Sequence, residues 1–422
     1  MPTFLSLLPP DEARALLLSR LSAPLPDSVL VDASSSLGRV CAEDVRAPHP
    51  LPEFPRSTVD GFAVRARDTF GASDSLPAYL SLIGEVPMGG APRFEVGAGQ
   101  CAILHTGGML PAGADAVVML EYTQPAREGE LEVQRAVAAG ENVIRVGEDV
   151  AAETVILPRG RRMRPAEVGG LMALGILSLR VAKSPKIGLL STGDEVVDPS
   201  QPPQPGQVRD VNSYTLSTLI ERAGGEAIRY GIVGDQLEAL EAAARRALAE
   251  CDALIITAGS SASTRDMTAE VISRLGEPGV LVHGINTKPG KPTILGVCGG
   301  KAVIGLPGNP VSALVNGYLF VVPIIERLLG ETPRPQATVR ARLTVNLPSQ
   351  AGREDWWPVK LIPSPLRPSP SGRGDGGEGC DAEPIFGKSN LIFNLVQADG
   401  LLRIPPDATG LSAGEMVEVT LL

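Results

Sequence analysis

Histidine, cysteine, lysine and aromatic residues are all scarce in this 422-residue chain. Three histidines, His49, His105 and His283, are too few for a His-rich metal motif and offer little from which to build a Ser–His–Asp triad. Five cysteines, odd in number and without a Cys-x-x-Cys, argue against a disulfide framework and a cysteine zinc site, and point to a reducing cytoplasm. Aromatics make up 4% of the residues, so the stacking platforms of a general single-strand nucleic-acid binder are missing. A net charge of −10 speaks against nucleic acid and against an anionic membrane surface. One uncharged stretch, 302–325, is long enough to span a bilayer. Pro307, Gly308, Asn309, Pro310 and Pro323 divide it into a buried strand, a turn and a buried helix. The first 21 residues carry Asp11, Glu12 and Arg14 and no basic leader, and read as an amphipathic helix rather than a signal peptide. Chemistry is left to carboxylates, hydroxyls, lysines and backbone amides.

Glycine (47) and proline (38) are abundant, and with 43% hydrophobic and 20% charged residues they describe a globular chain rich in turns. The length suits about three domains. Residues 1–50 predict a helix over 11–22 and a second near 27–40. Within 51–140, short apolar runs at 79–83, 100–104 and 116–120 alternate with Gly and Pro turns, as in a small β-rich domain. Residues 141–182 return to extended segments and then a helix from Pro165. Across 183–330, strands at 186–191, 226–233, 253–257, 280–285, 293–297 and 302–306 alternate with helices at 212–223, 236–250, 266–275 and 310–329. That alternation is the pattern of a doubly wound, mainly parallel α/β sheet, which binds ligands at the carboxyl ends of its strands. Residues 331–422 lose the helical period; strands at 338–345, 356–361, 391–396 and 416–421 fit a small barrel or sandwich. They are interrupted at 363–380, where 12 of 18 residues are Pro, Gly or Ser, so a flexible insertion is expected there.

Several turns could carry chemistry. Ser191-Thr192-Gly193-Asp194-Glu195 follows a buried strand and is either a capped turn or a ligand-facing edge. Asp235 and Asp266 each precede or open a helix and could be simple N-caps. Glu195, Asp235 and Asp266 nonetheless fall at one edge of one sheet, and three acids there call for a cation; Mg²⁺ bound through carboxylates and waters is the natural candidate. Seven of the chain's 38 basic residues are lysines, and two of these flank a turn in Lys288-Pro289-Gly290-Lys291-Pro292, a pairing suited to a tetrahedral oxyanion or phosphate. Pro307-Gly308-Asn309-Pro310-Val311-Ser312 ends a strand and opens a helix, with Asn309 placed to cap and free N–H groups suited to an anion. Ser57-Thr58-Val59-Asp60-Gly61-Phe62-Ala63 and His105-Thr106-Gly107-Gly108 set polar side chains beside glycine, as plain turns also do. The run Arg159-Gly160-Arg161-Arg162-Met163-Arg164 reads as a solvated face.

Taken together, Asp60-Gly61-Phe62-Ala63-Val64-Arg65, Gly113-Ala114-Asp115-Ala116-Val117-Val118 and Gly140-Glu141-Asn142-Val143-Ile144-Arg145 resemble the molybdopterin molybdenumtransferases. So do the turns at 191–195, 288–292 and 307–312. These are the bacterial molybdenum-insertion enzymes, similar to the E domain of gephyrin, and the resemblance runs in order over nearly the whole chain. It implies four domains: a helical and extended first domain from 1–50 and 141–182, a β-rich second domain at 51–140, an α/β molybdopterin-binding third domain at 183–330, and a β-barrel fourth domain at 331–422. It also implies a cytoplasmic homodimer whose active site lies between the third domain of one subunit and the second domain of the other. The implied reaction is Mg²⁺-dependent insertion of molybdate into adenylylated molybdopterin, with hydrolysis of the phosphoanhydride and release of AMP. Carried over by motif, the catalytic set is Asp60, Thr106, Glu195, Asp235, Asp266, Lys288 and Lys291, with Glu195, Asp235 and Asp266 for Mg²⁺. The substrate-binding set is Thr192, Gly193, Asp194, Gly259, Ser261, Pro307, Gly308, Asn309 and Ser312. Implied partners are molybdopterin adenylyltransferase and molybdoenzymes, with no nucleic acid and no membrane. The chain departs from the family pattern at Val59, where methionine is usual, and at Ala258 and Ser263, where glycines stand. Two other readings remain at this point: a molybdopterin adenylyltransferase, which uses a similar α/β domain, and a non-catalytic paralogue that binds a pterin or a partner protein.

Overall fold

Continuous apolar runs at 187–190, 253–256, 294–297 and 302–306 give the central strands two buried faces, and this fixes the central layer. The computed structural model describes residues 7–22, 26–258, 262–363 and 379–422, the side chains of 262–265 excepted. β1 (Lys186–Thr192), β2 (Glu226–Val233), β3 (Ala253–Ala258), β4 (Pro278–His283), β5 (Ile294–Cys298) and β6 (Lys301–Pro307) form one sheet in the order β2-β1-β3-β6-β5-β4. β1 runs parallel to β2 and β3, and β3 parallel to β6. β5 runs antiparallel to both β6 and β4, so it is the one reversed strand. Ile187, Leu189, Ile255, Ile304 and Leu306 face a core shared with α1 (Asn212–Ala223), through Leu216, Leu219 and Ile220. Leu190, Leu254, Ile256 and Val303 face the opposite side, against Leu240 and Ala244 of α2 (Leu237–Glu250) and Val271 and Ile272 of α3 (Ala262–Leu275). Each such Leu or Ile contributes about 1.5–3 kcal/mol by leaving water.

The apolar stretch at 302–325 resolves as foreseen into β6, a turn and a helix. The helix runs as α4 (Pro310–Asn316), one wide π turn at Gly317–Val321, and α5 (Val322–Leu328). It is long and apolar enough to cross a membrane, but Phe320, Val321, Ile324 and Ile325 lie in the core. The helix Pro10–Arg20 adds Ala13 and Leu17 to that same core.

The C-terminal region closes on itself. β7 (Thr338–Leu343), β8 (Glu354–Pro363), β9 (Cys380–Pro384), β10 (Gly400–Ile404) and β11 (Met416–Leu421) pair in the ring β8-β9-β7-β11-β10, and β10 returns to β8. This five-stranded barrel is filled by Leu343, Val359, Leu402, Ile404 and Val419. A short sixth strand, Thr287–Lys288, pairs parallel with Glu354 and Asp355 of β8. These elements belong to one unit, made of 1–29, 38–42 and 181–422; the second unit comprises 30–37 and 43–180. Its sheet has six strands, with Gly61–Val64 between Ala116–Met119 and Gln100–Leu104.

The structure corrects five expectations. The second helix expected near 27–40 is a strand, Ser28–Asp32, followed by a 3-10 turn; Val29 and Val31 favour the extended chain. The strand expected at 391–396 is a helical turn, Phe393–Val396, and strands β9 and β10 were not foreseen. α3 begins at Ala262, so Asp266 lies one turn inside it and is no cap. The 159–164 run is no simple solvated face: Met163 is buried, and Arg161 and Arg164 both clamp Glu167. The Arg164 hydrogen bonds first, then Arg161, hold the Glu167 carboxyl down to about 2 against the opposing effect of its burial. Asn309 makes no cap hydrogen bond. The insertion expected at 363–380 falls, over 364–378, outside the described residues.

The seam beside Thr287–Lys288 depends on a buried carboxylate. Glu354 is 2% exposed, accepts from Trp356 Nε1 at 2.7 Å and pairs with Arg403. Glu354→Ala would leave a guanidinium and an indole N–H without that partner. We expect a loss of about 3 kcal/mol of stability, read as a lowered midpoint in chemical denaturation; an unchanged midpoint would show that the cluster is only decoration.

Candidate functional site

Because β1, β2, β3, β4 and β6 all point the same way, the turns that follow them gather on one edge of the sheet. In order across that edge stand Asp235 after β2, the 191–195 turn at the end of β1, the loop to α3 after β3, the 307–312 turn after β6, and the Lys288–Lys291 turn after β4. Five strand gaps of about 4.8 Å put roughly 24 Å between the outermost two. Acids occupy one half of this edge and lysines the other.

On the acidic half, two turns hold each other. Thr192 Oγ1 donates to Asp235 Oδ1 at 2.9 Å, and the Asp235 N–H donates to Asp194 Oδ1 at 3.1 Å. Asp235 is therefore not spent on capping α2, whose N-cap is Gln236. Beneath them lies a residue that sequence reasoning missed. Asp210, 7% exposed, accepts from Ser191 Oγ (2.8 Å), Ser213 Oγ (2.7 Å) and the Ser213 N–H (3.1 Å). Thr257 Oγ1 donates to Ser191 Oγ at 3.2 Å, extending the network to β3. The spacing Asp210-Val211-Asn212-Ser213 at the start of α1 was its available signal, since a carboxylate there can take the N–H three residues on. Glu195 and Asp266 are exposed. Gly259 and Ser261 lie outside the described residues.

Among the described residues no three His, Cys, Asp or Glu side chains stand close enough to hold a metal between them. The edge thus brings Glu195, Asp235 and Asp266 to one side without gathering them into a ready-made cage. Their oxygen donors still suit Mg²⁺, which is usually held by one or two carboxylates and completed by water and substrate phosphate oxygens.

The basic half is rigid. The Lys288-Pro289-Gly290-Lys291 turn is tied down by Asn316, whose Nδ2 donates to the Pro289 carbonyl (3.2 Å) and the Ser312 carbonyl (2.8 Å). Gly290 has φ +105°, and a side chain there would land on the Asn316 amide. Thr287 Oγ1 donates to the Glu354 carbonyl (3.2 Å), and the Glu354 N–H donates to the Asn286 carbonyl (3.1 Å), fixing the turn to the barrel. Both ammonium groups stay on exposed side chains. The 307–312 turn differs from its expectation. Pro310 does open the helix, but the Val311 N–H donates to the Ser389 carbonyl (3.0 Å), and Asn309 Nδ2 donates to Ser389 Oγ (3.1 Å). A barrel loop therefore occupies part of the expected anion site. Gly308 instead offers its carbonyl to Asn212 Nδ2 at 2.9 Å, and Ser312 is buried. A cleft of about 790 Å³ opens between the lysine turn and the barrel, lined also by Arg353, Trp357 and Lys388.

In the second unit, Asp60 and Thr106 meet although 46 residues separate them. Asp60 Oδ1 accepts the Thr106 N–H (2.8 Å) and its hydroxyl (3.2 Å), and His105 Nδ1 lies 3.7 Å away. His105 Nε2 reaches Glu85 at 2.9 Å. The Thr106 backbone bond first, its hydroxyl next and His105 last hold the Asp60 carboxyl below its usual range, against the opposing effect of desolvation. Gly61 is required here because a Cβ would strike the Val118 carbonyl oxygen of the neighbouring strand. The motifs at 113–118 and 140–145 prove structural: Asp115 Oδ1 accepts the Ala66 N–H, and Asn142 Nδ2 donates to the Val117 carbonyl.

Three family models match the chain: the MoeA N-terminal region (domain I and II) over 8–175, the probable molybdopterin binding domain over 188–327, and the MoeA C-terminal region (domain IV) over 340–422. The chain is 32% identical to the molybdopterin molybdenumtransferase of Bacillus subtilis over 93% of its own length and 89% of that protein. It is 34% identical to the molybdopterin molybdenumtransferase of Haemophilus influenzae, covering 82% of this chain and 84% of that one. Among solved structures it resembles the molybdopterin biosynthesis moeA protein of Pyrococcus horikoshii OT3, with a TM-score of 0.84 and 33% identity, covering 99% and 100% of the two chains.

The Asp60 contacts set a pH dependence. A carboxyl whose folded pKa is depressed stabilises the fold fully above its unfolded value of about 3.9 and loses that contribution as pH falls through the folded value. Thr106→Val removes the hydroxyl donor and keeps the N–H. Carbon-detected titration of Asp60 should show a pKa below 3.9 in the wild type and a partial rise in the variant; identical curves would mean that the hydroxyl does not hold Asp60.

Proposed function

The chain belongs to the MoeA family of molybdenum cofactor biosynthesis and is an enzyme of the molybdopterin molybdenumtransferase class; from that premise we propose that it inserts molybdate into adenylylated molybdopterin, hydrolysing the phosphoanhydride and releasing AMP. The observation that carries this reading is the division of a single sheet edge into an acidic and a basic half. An elongated dianionic substrate can lie along such an edge, with separate tasks at its two ends.

In this proposal Lys288 and Lys291 receive the anionic oxygens of molybdate and phosphate. Their backbone is preset by Asn316 and the barrel, so little reorganisation accompanies charge movement. Glu195, Asp235 and Asp266 would hold Mg²⁺ together with the substrate's own oxygens, and the bound ion would offset the charge of the phosphoanhydride there. Thr192 and Asp194 orient Asp235. Gly193, Pro307, Gly308, Asn309 and Ser312 shape the floor of the binding edge, as Gly259 and Ser261 would in the loop outside the described residues. Asp60, whose carboxylate accepts from Thr106, would enter the same site from a second copy of the chain in a homodimer. We further propose domain limits of 1–50 with 141–182, 51–140, 183–330 and 331–422, and action in the cytoplasm. Matches on both sides of the α/β region favour this reading over a lone molybdopterin adenylyltransferase.

The test is to incubate the protein with adenylylated molybdopterin, molybdate and Mg²⁺ and to follow AMP release and cofactor formation. Asp266→Ala should lower turnover by about 100-fold, while its exposed position should keep the change in stability within about 0.5 kcal/mol. Wild-type-like, Mg²⁺-dependent turnover in the variant would remove Asp266 from the site.

Lys291→Ala should raise the molybdate requirement. Lys291→Arg should also impair turnover, because a planar guanidinium cannot replace a compact ammonium at a fixed turn. Unchanged molybdate dependence in both variants would reduce the turn to a solvated loop.

A further inference from the structure

We infer that His105 is a positioning residue for Asp60: Glu85 fixes which ring nitrogen carries the first hydrogen of the imidazole, so the second proton arrives at the nitrogen facing Asp60 and locks that carboxylate for turnover. The inference rests on the proposed reaction only in giving Asp60 a task; the Glu85–His105–Asp60 arrangement does not depend on it. Sequence reasoning passed over Glu85 and gave His105 no role of its own.

Three observations support it. First, the sheet of the second unit delivers the three side chains to one place. Strand Gln100–Leu104 runs between strands Gly61–Val64 and Ala78–Glu85, with Leu104 opposite Gly61 and Ile103 opposite Glu85. His105 leaves the end of that middle strand and meets Asp60 through one ring nitrogen and Glu85 through the other. Second, the two nitrogens are not equivalent. Nε2 lies 2.9 Å from Glu85 Oε1, a hydrogen-bond distance, whereas Nδ1 lies 3.7 Å from Asp60 Oδ1, beyond one. An ionised carboxylate can only accept, so the hydrogen of the neutral ring sits on Nε2, and Nδ1 presents a lone pair to Asp60. Protonation adds the second hydrogen at Nδ1, and a gap between two lone pairs becomes a charge-assisted contact. Third, the role has no rival. The Thr106 N–H and hydroxyl also meet Asp60 at Oδ1, so a further donor there completes one oxygen and leaves Oδ2 for the reaction. Among the described residues no lysine or arginine pairs with Asp60, Glu85 or His105, and His105 is the charged group that lowers the Asp60 carboxyl. Glu85 and Asp60 are thus the ionisable groups that face the imidazole.

The test follows the full chain by imidazole-nitrogen and carboxyl-carbon NMR through the histidine titration, beside the AMP-release assay. With three histidines in the chain, the His105 signals are assigned by their loss in His105→Gln. At the alkaline end the wild-type ring should carry its hydrogen on Nε2, and Glu85→Ala should release it to a mixture of the two tautomers. The Asp60 carboxyl carbon should show a second step at the His105 midpoint, absent from His105→Gln. In the assay, kcat/KM should fall about threefold as pH rises through that midpoint, the size of effect expected of an exposed charge pair. His105→Gln should lack this step, because the free enzyme has lost the group that titrates. The His105 and Glu85 side chains are 42% and 58% exposed, so neither substitution opens a cavity in the core. A wild-type ring protonated on Nδ1 alone, or an Asp60 signal that ignores the imidazole, would overturn the contact. Turnover with the same pH profile in wild type and His105→Gln would sink this inference alone. Coupled NMR steps in a protein without any turnover would sink the reaction and leave the coupling of His105 to Asp60 standing.

Discussion

A parallel strand cannot choose where it ends: its carboxyl terminus falls on the same edge as that of every strand running with it. That constraint organises the α/β region. Five of its six strands share one direction, so turns separated by up to about a hundred residues become neighbours along a line. The two buried faces of the central strands are set by continuous apolar runs, and the helices that cover them leave the edge uncovered. Function can then vary turn by turn without disturbing the core. The only reversed strand, β5, also serves the edge, because it lets the chain turn back through the Lys288–Lys291 loop instead of crossing over with another helix.

The two halves of the edge are stabilised by different means. On the acidic half, carboxylates are held by hydroxyls and N–H groups: Asp235 by Thr192, Asp210 by Ser191 and Ser213. Neutral donors keep an acid in place without cancelling its charge, so the half remains able to attract a cation. On the basic half, the backbone is fixed and the ammonium groups are left free to move. Asn316 and the Glu354 N–H act on main-chain atoms of the lysine turn or its neighbours, and Thr287 reaches from that segment to the Glu354 carbonyl. A long side chain on a rigid anchor can follow charge that shifts between two groups, whereas a clamped guanidinium such as Arg353 cannot.

How much of this was legible in sequence depended on the range of the interaction. Helices α1 and α2 and strands β3 and β6 follow from local periodicity, and their limits came out within a residue or two. Motif turns were legible because strand direction carries them to one edge. Asp235 and Asp266 looked like caps and are not, since a cap and an edge carboxylate share the same residue types. The C-terminal strands were legible as a small barrel or sandwich, and the family resemblance pointed to the barrel. Its closure depends on β8 meeting both β9 and β10, a pairing that no local pattern encodes. Asp60 and Thr106 entered the candidate set through the family resemblance, while their contact across 46 residues is visible only in the fold. The capping of Val311 by Ser389 had no signal at all, because it comes from a loop 78 residues further on.

The buried acids of β8 connect these scales. Glu354 and Asp355 are almost fully enclosed, a costly arrangement unless each is paired, and each is: one with Arg403 and Trp356, the other with Arg353. A pair of apolar residues could fill the same volume at less desolvation cost. It could not orient an indole through its N–H, nor hold a guanidinium at the rim of the cleft. The backbone of those same two residues is the one that pairs with Thr287 and Lys288. The side chains thus set the wall of the cleft while the main chain sets the lysine turn opposite, and one short segment fixes the distance between them. A shift of β8 would therefore move both together.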